Sequence, residues 1–115
     1  LVLVPEGHTI AVPAEFASKP TPEEAMEVMR EWTSVPQKLK LPSAPLNPLH
    51  VRTEPDRPQP RKDVYAEKGM AISVGRVRAD NVFHLRWISS GSNTIRGAAG
   101  SNVLGAELFV AEKRI

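Results

Sequence analysis

The 115-residue sequence predicts one α+β domain in which helices cover a mixed or antiparallel sheet. Three features indicate this fold class: alternating apolar residues near the start, a helix-initiation signal after them, and two strand-like segments joined by a short turn in the second half. The length is typical of one domain, and the apolar content of 41% suffices for one modest core.

The first predicted strand covers residues 9–16, where every second residue is apolar, as in a strand with one buried face. Pro13 falls inside this segment and cannot donate a hydrogen bond to a neighbouring strand. The strand should therefore lie at a sheet edge or carry a bulge.

A helix is expected next, because Thr21 can cap it, Pro22 suits its first position and Glu24 completes a capping box. Its apolar residues share one helical face, which predicts a buried stripe: Ala25, Val28, Met29 and Trp32. Met29 and Trp32 are accordingly interpreted as core residues.

A proline-rich segment follows, with prolines at positions 36, 42, 45, 48, 55, 58 and 60. No long helix can persist there, and residues 49–54 are the best candidate for a short strand. A disordered linker is the alternative. The segment nevertheless carries apolar anchors that favour an ordered crossing: Leu39, Leu41, Leu46, Leu49 and Val51.

Residues 70–78 and 82–89 are predicted to form an antiparallel hairpin with a turn at 79–81. The chain then reads as helical to near residue 113, with one expected apolar face: Ile95, Ala99, Val103, Ala106 and Val110. Gly97, Gly100 and Gly105 interrupt this helix. Either a backbone or ligand approaches closely at these glycines, or they allow tight packing on the sheet.

Composition excludes several function classes. The net charge is only +2 and basic residues are interspersed with acidic ones, so no nucleic-acid partner is expected. No apolar run approaches the ~20 residues that span a bilayer, and the expected location is the cytoplasm. The absence of cysteine excludes both a disulfide framework and a thiol nucleophile from this chain.

Among the three histidines, His50 and His84 are interpreted as structural or exposed, because neither has partners at metal-ligand spacing. His8 follows a glycine at the end of an apolar segment. Its imidazole could project into a cleft, and its ordinary pKa range suits proton transfer near neutral pH. A satisfied surface histidine is the alternative.

Four motifs together resemble the archaeal and fungal-type aspartate-semialdehyde dehydrogenases: Val4-Pro5-Glu6-Gly7-His8-Thr9, Asp56-Arg57-Pro58-Gln59-Pro60-Arg61, Val74-Gly75-Arg76-Val77-Arg78 and Asn93-Thr94-Ile95-Arg96-Gly97-Ala98-Ala99-Gly100. The resemblance implies that residues 1–115 form a partial C-terminal substrate and dimerisation domain of the glyceraldehyde-3-phosphate-dehydrogenase-like type. The family's NADP-binding Rossmann domain and catalytic cysteine are not in this chain. Because the chain also begins with Leu1, we expect it to be part of a longer protein.

The same resemblance implies the site residues. In the family a cysteine thiolate attacks the aldehyde, a histidine manages the proton, hydride passes to NADP, and phosphate releases the acyl group. His8 matches the acid–base histidine. Asn93 matches a residue that contacts the nicotinamide end of NADP, although an asparagine there could equally be a helix cap. Gly97 would allow the cofactor a close approach.

One position departs from the family pattern, since Leu1 stands where the family has an arginine that binds the substrate carboxylate. A leucine cannot provide the paired donors of a guanidinium group. Either this terminus is a truncation or annotation artefact, or the substrate differs. Arg76 and Arg78 remain candidates for anion or dimer contacts, with a solvated edge of one strand face as the alternative.

The leading hypothesis is part of an NADP-dependent aspartate-semialdehyde dehydrogenase, which reduces aspartyl phosphate for lysine, threonine and methionine synthesis. It would act on small molecules, assemble as a homodimer or tetramer, and be inactive as this chain alone. One alternative is a malonyl-CoA reductase-like enzyme. The other is a non-catalytic remnant that only dimerises.

Overall fold

The computed structural model describes residues 4–114 of the chain. Its strands are β1 (His8–Ala14), β2 (Leu49–Arg52), β3 (Ile72–Ala79) and β4 (Leu85–Gly91). Its α-helices are α1 (Pro22–Glu31), α2 (Val35–Lys38), α3 (Pro60–Asp63) and α4 (Gly100–Ala111), with a 3₁₀ turn at Ala66–Gly69 and a π-helical turn at Ile95–Ala99. Leu1, which departs from the family pattern, lies outside the described residues.

The strands form one mixed sheet in the order β1-β4-β3-β2. β3 and β4 are the predicted antiparallel hairpin, β1 pairs antiparallel with β4, and β2 runs parallel to β3. The α+β fold class is therefore confirmed. β1 is an edge strand, as Pro13 predicted, and it ends at Ala14, so Phe16 lies beyond the sheet.

Helix α1 begins with the predicted capping box. Thr21 Oγ1 accepts a hydrogen bond from the Glu24 N–H at 3.2 Å. In return the Glu24 carboxylate accepts one from the Thr21 N–H at 2.7 Å. These two contacts satisfy backbone donors that a helix start otherwise leaves without partners.

The predicted buried stripe of α1 is wrong in phase, since Val28 is 67% and Trp32 is 45% exposed. The helix packs against β2 and β3, and its half-buried row is shifted by about one position: Pro22, Ala25, Met26 and Met29. Trp32 is the C-cap residue with an extended backbone, so its side chain leaves the helical register. Trp32 is therefore not a core residue.

The closing helix also buries a different face from the predicted one, because Val103 is 52% and Val110 is 61% exposed. The π-helical turn at Ile95–Ala99 adds a residue to one turn and so rotates everything after it. Leu104 is buried instead, and it forms the small core with Leu41 and Met70.

The proline-rich crossing is ordered rather than a linker, and part of it lies against the sheet. A Cβ atom added to Gly75 would stand 2.6 Å from the Arg57 carbonyl oxygen and 2.9 Å from Pro58 Cδ. The Arg57–Pro58 peptide, which is cis, thus covers β3 at a position where only glycine fits. The motifs at residues 56–61 and 74–78 therefore pack against each other.

A buried carboxylate holds this crossing in place. Asp63 is fully buried and accepts hydrogen bonds from Arg57, at 2.7 Å from Nε, and from the Gln59 N–H at 2.7 Å. Arg52 Nη2 lies 3.1 Å from the same carboxylate. Burial alone would raise the pKa of Asp63, but the hydrogen bonds from Arg57 and Gln59 and the charges of both arginines together lower it.

Arg76 and Arg78 do not share one strand face, because a register shift between Gly75 and Arg78 breaks the alternation of β3. Arg76 has a φ of 56° and is exposed, and Arg78 Nη1 donates a hydrogen bond to the Arg76 carbonyl at 2.8 Å. β2 pairs with β3 only as far as Gly75, so this part of β3 forms a sheet edge. The shared strand face expected for these two arginines is therefore wrong, and their proposed anion or dimer contacts stay a prediction.

Within residues 4–114, no helix combines the length and apolar character needed to cross a membrane. The same part of the chain contains no group of three or more histidine, cysteine or acidic side chains arranged to hold a metal ion.

Candidate active site

The three site residues expected from the sequence line one cleft of about 220 Å³. We call it the His8 cleft and define it by His8, Ile10, Ile72, Asn93, Arg96 and Gly97. His8 comes from the start of β1, whereas Asn93 and Gly97 come from the segment after β4. The antiparallel pairing of β1 with β4 brings these distant segments together, with His8 directly opposite Gly91.

The backbone before His8 depends on a glycine. Gly7 is buried and has a φ of 90°, a conformation that residues with side chains rarely adopt. A Cβ atom there would also stand 2.8 Å from Val64 Cγ2 and 3.3 Å from the Gly91 carbonyl oxygen. The chain therefore enters β1 in one orientation, and that orientation leaves the His8 side chain exposed at the cleft.

Asn93 is not the helix cap that the sequence left open as an alternative. The Ser92 hydroxyl accepts a hydrogen bond from the Ile95 N–H at 3.1 Å, and Ser92 itself is buried. Asn93 is exposed next to it and lines the His8 cleft. Its amide group can both donate and accept hydrogen bonds there.

Gly97 is exposed, and the first contact of an added Cβ atom would be the Ser92 carbonyl oxygen at 3.4 Å. Packing within the described residues therefore does not require glycine at this position. Gly100 differs, because a Cβ there would stand 2.4 Å from Met70 Sδ. Of the two explanations for these glycines, tight packing applies to Gly100, and close approach of a ligand stays open for Gly97.

A second cleft, of about 380 Å³, adjoins the first. Its lining includes Glu6, Gly7, His8 and Asn93. His8 and Asn93 thus line both clefts. An imidazole and an amide therefore lie where one molecule in either cleft could contact both.

The other two histidines have structural contacts. His84 Nδ1 accepts the Phe16 N–H at 3.0 Å and so joins the end of β1 to the hairpin turn. His50 Nε2 lies 3.5 Å from Glu67 Oε1. Both observations agree with the structural interpretation drawn from the sequence.

Sequence reasoning missed Arg96, a half-buried residue that also lines the His8 cleft. It stands in the quoted motif but looks like an ordinary solvated helix residue. Its place in the cleft depends on the π-helical turn, which the sequence pattern did not reveal. The guanidinium group of Arg96 could bind an anionic group in this cleft.

The family model described as "Semialdehyde dehydrogenase, dimerisation domain" matches residues 1–96. The chain belongs to this family. The chain is 44% identical over 112 residues to the aspartate-semialdehyde dehydrogenase of Schizosaccharomyces pombe, covering 95% of this chain and 31% of that protein. It is 46% identical over 114 residues to that of Archaeoglobus fulgidus, covering 99% of this chain and 32% of the relative.

Solved structures give the same result. The chain superposes with a TM-score of 0.86 and 38% identity on aspartate semialdehyde dehydrogenase with NADP from Candida albicans, covering 96% of this chain and 31% of that one. For aspartate semialdehyde dehydrogenase II from Vibrio cholerae the TM-score is 0.72 at 25% identity, covering 91% and 27% of the two chains. The domain therefore spans about a third of the length of its curated relatives.

Proposed function

We propose that this domain is the C-terminal, substrate-side part of an NADP-dependent aspartate-semialdehyde dehydrogenase that reduces aspartyl phosphate to aspartate semialdehyde. The observation that carries the proposal is the single cleft lined by His8, Asn93 and Gly97. The names of the relatives support the choice of substrate. We use "complete enzyme" below for the protein that joins this domain to a cofactor-binding domain and a reactive cysteine.

His8 is the acid–base group in this proposal. The chain has no cysteine, so the thiol must come from the rest of the complete enzyme and meet His8 at the exposed mouth of the cleft. An imidazole there can take the thiol proton and return a proton to the substrate's carbonyl oxygen. Its role needs only hydrogen-bond reach to those two atoms.

Asn93 and Gly97 are proposed to receive the nicotinamide end of the cofactor, whose reduced form, NADPH, would supply the hydride for this reduction. The residues fit this end of the cofactor, because the exposed Asn93 amide can pair with a carboxamide and Gly97 leaves space for close approach. The remainder of the cofactor is assigned to the cofactor-binding domain. Arg96 would contribute positive charge for an anionic group of the substrate or cofactor.

We also propose that the complete enzyme is a cytoplasmic homo-oligomer. The family description as a dimerisation domain supports this, and so do large apolar side chains that the described residues leave exposed: Ile10, Val82, Phe83, Val103, Phe109 and Val110. The dimer or tetramer order would follow from the mass of the purified protein in solution.

A direct assay tests the activity. The complete enzyme is incubated with aspartate semialdehyde, phosphate and NADP, and NADPH formation is followed by absorbance. Malonyl-CoA with NADPH is run in parallel. We expect turnover only with the aspartyl substrate; turnover only with the thioester would replace the proposal with a malonyl-CoA reductase, and inactivity with both would reject the catalytic assignment.

A further inference from the structure

The two walls of the His8 cleft come from distant parts of the chain, and one carboxylate connects them. Glu6 Oε1 accepts a hydrogen bond from Thr94 Oγ1 at 3.3 Å. Glu6 Oε2 accepts another from the Tyr65 hydroxyl. Because Thr94 directly follows Asn93, the Glu6–Thr94 contact ties the segment that carries His8 to the segment that carries Asn93.

Thr94, the first partner of Glu6, is held within its own turn. Ser92 Oγ lies 3.4 Å from Thr94 Oγ1 and also accepts the Ile95 N–H at 3.1 Å. Ser92 is buried, so this turn is anchored beneath the surface. A contact between Glu6 and Thr94 therefore fixes the loop against a supported part of the fold.

Tyr65, the second partner, follows Val64, whose side chain packs against Gly7. Glu6 and Gly7 thus contact adjacent residues of the segment after α3. The pKa of Tyr65 is raised above its ordinary value, mainly by the hydrogen bond to Glu6. Burial and the negative charge of Glu6 raise it further. The phenol consequently remains a protonated donor over the physiological pH range.

We propose that Glu6 is a positioning residue that sets the separation of His8 and Asn93 across the cleft. The inference rests on the proposed function for its catalytic consequence, but its geometry is a property of the described residues. Glu6 acts through the backbone that enters β1 and through Thr94. Misplacement of a reacting group by about 1 Å can lower turnover by on the order of 10²-fold. A residue that fixes the positions of His8 and Asn93 would therefore affect turnover.

The competing explanation is that Glu6 only stabilises the surface of the fold. Its contacts are largely exposed, and such hydrogen bonds contribute little to folding. The two explanations differ in what is lost on substitution. If Glu6 only stabilises the surface, its substitution would change thermal stability alone. If Glu6 is a positioning residue, its substitution would change turnover and cofactor binding in a protein with a normal Tm.

The test uses Glu6→Ala and Glu6→Gln in the complete enzyme, with Glu27→Ala as the matched control. Glu27 is an exposed residue of α1 that lines neither cleft. We expect Glu6→Ala to lower kcat about 10–100-fold and to raise the KM for NADP, with Tm close to that of the control. Glu6→Gln should retain most of kcat, because its amide can pair with both hydroxyl partners.

A second variant tests the proposed partner. Thr94→Val should lower kcat in the same direction, and the Glu6→Ala/Thr94→Val double variant should lose little more than Glu6→Ala alone. Fully additive losses would show that the two residues act separately and would overturn the inference. So would kcat for Glu6→Ala within twofold of the Glu27→Ala control, or a Glu6→Gln variant as impaired as Glu6→Ala.

Crystal structures of the unmodified enzyme and Glu6→Ala separate this inference from the proposed function. We expect the distance between the His8 ring and the Asn93 amide to increase, or the His8 ring to lose a single orientation. An unchanged arrangement would overturn the positioning role even if the enzyme is an aspartate-semialdehyde dehydrogenase. A changed arrangement in an enzyme inactive toward aspartyl substrates would support the role and reject the proposed function.

Discussion

At the residue scale, the geometry of the candidate site depends on two glycines, which have no side chain. Gly7 permits the backbone turn before His8. Gly91, which lies opposite His8 in β4, leaves room for the Ile72 side chain, since a Cβ at Gly91 would stand 2.4 Å from Ile72 Cδ1. A substitution at either glycine would therefore move His8 without touching it.

In the complete enzyme, His8→Ala should lower turnover by about 10²–10⁴-fold with little change in substrate affinity, because the lost contribution is proton transfer. Steady-state kinetics with the aspartyl substrate measures both parameters. His84→Ala is a useful comparison, since it removes an imidazole that serves a backbone contact. Near-normal turnover in His8→Ala would remove this residue from the mechanism.

Motif resemblance suggested His8, Asn93 and Gly97 as site residues, and the fold places all three at one cleft, while their roles stay predictions. Periodicity alone could not do so, because the contact between β1 and the segment after β4 joins parts of the chain that are far apart in sequence. Arg96 was missed because it lies in the π-helical turn, which the sequence pattern did not reveal. Whether a charged helix residue faces water or a cleft depends on partners that local patterns do not reveal.

At the element scale, local signals predicted where elements begin, and tertiary packing decided which faces they bury. The capping box placed the start of α1 correctly because all its groups are near neighbours. The buried faces of α1 and α4 were misassigned, since one depends on the strands it meets and the other on the π-helical turn before it. Insertion of one residue in a turn is invisible to a 3.6-residue periodicity.

Gly100 and Gly105 should respond oppositely to alanine. Gly100→Ala should lower the free energy of unfolding, because its Cβ would stand 2.9 Å from the Ile95 carbonyl oxygen and 2.4 Å from Met70 Sδ. Gly105→Ala should raise it by about 0.5–1 kcal/mol, since the helical glycine has open space around it and alanine favours the helix. Thermal melting of both variants measures the difference, and equal shifts would contradict the assigned helix phase.

Asp63→Asn should lower the free energy of unfolding by about 3 kcal/mol, because it removes the charge of a fully buried carboxylate and leaves half-buried Arg57 without its ionic partner. Asp56→Asn is the control, since Asp56 is exposed and its pairing with Lys62 contributes little. Denaturant titration gives both values. A loss no larger than in the control would show that the crossing is held by packing alone.

The stabilisation that the Asp63 carboxylate provides should be lost at low pH. The pKa of Asp63 is lowered in the folded protein, so its contribution is complete above the ordinary aspartate value of about 3.9 and disappears as the pH falls through the lower folded-state pKa. The difference between the unmodified protein and Asp63→Asn should therefore shrink in acid and be constant near neutral pH.

At the scale of the whole molecule, the domain is thin. Its radius of gyration is 15.2 Å and its smallest dimension is 20 Å. A compact domain of this length has a radius of gyration of about 13 Å. Few apolar side chains can lie far from solvent in so thin a domain. The family description as a dimerisation domain agrees with exposed apolar side chains that a second subunit would cover.

Alone, this chain should show no dehydrogenase activity and no NADP binding at micromolar concentration, because binding the cofactor's phosphates is assigned to the cofactor-binding domain. Calorimetric titration with NADP measures this directly. Addition of the separately expressed upstream part should restore activity at least in part. A clear one-to-one isotherm for the chain alone would mean that the cofactor site is misplaced.

Because the domain is thin and leaves apolar side chains exposed, the quantity of this protein in a cell should depend on how many copies have a partner that covers those side chains. Copies that lack that surface would present Val82, Phe83 and Phe109 to the surroundings, and exposed apolar side chains are what chaperones and proteases engage. Surplus copies would be removed, while assembled ones would persist. Its steady-state abundance would then be set by assembly rather than by its own rate of synthesis.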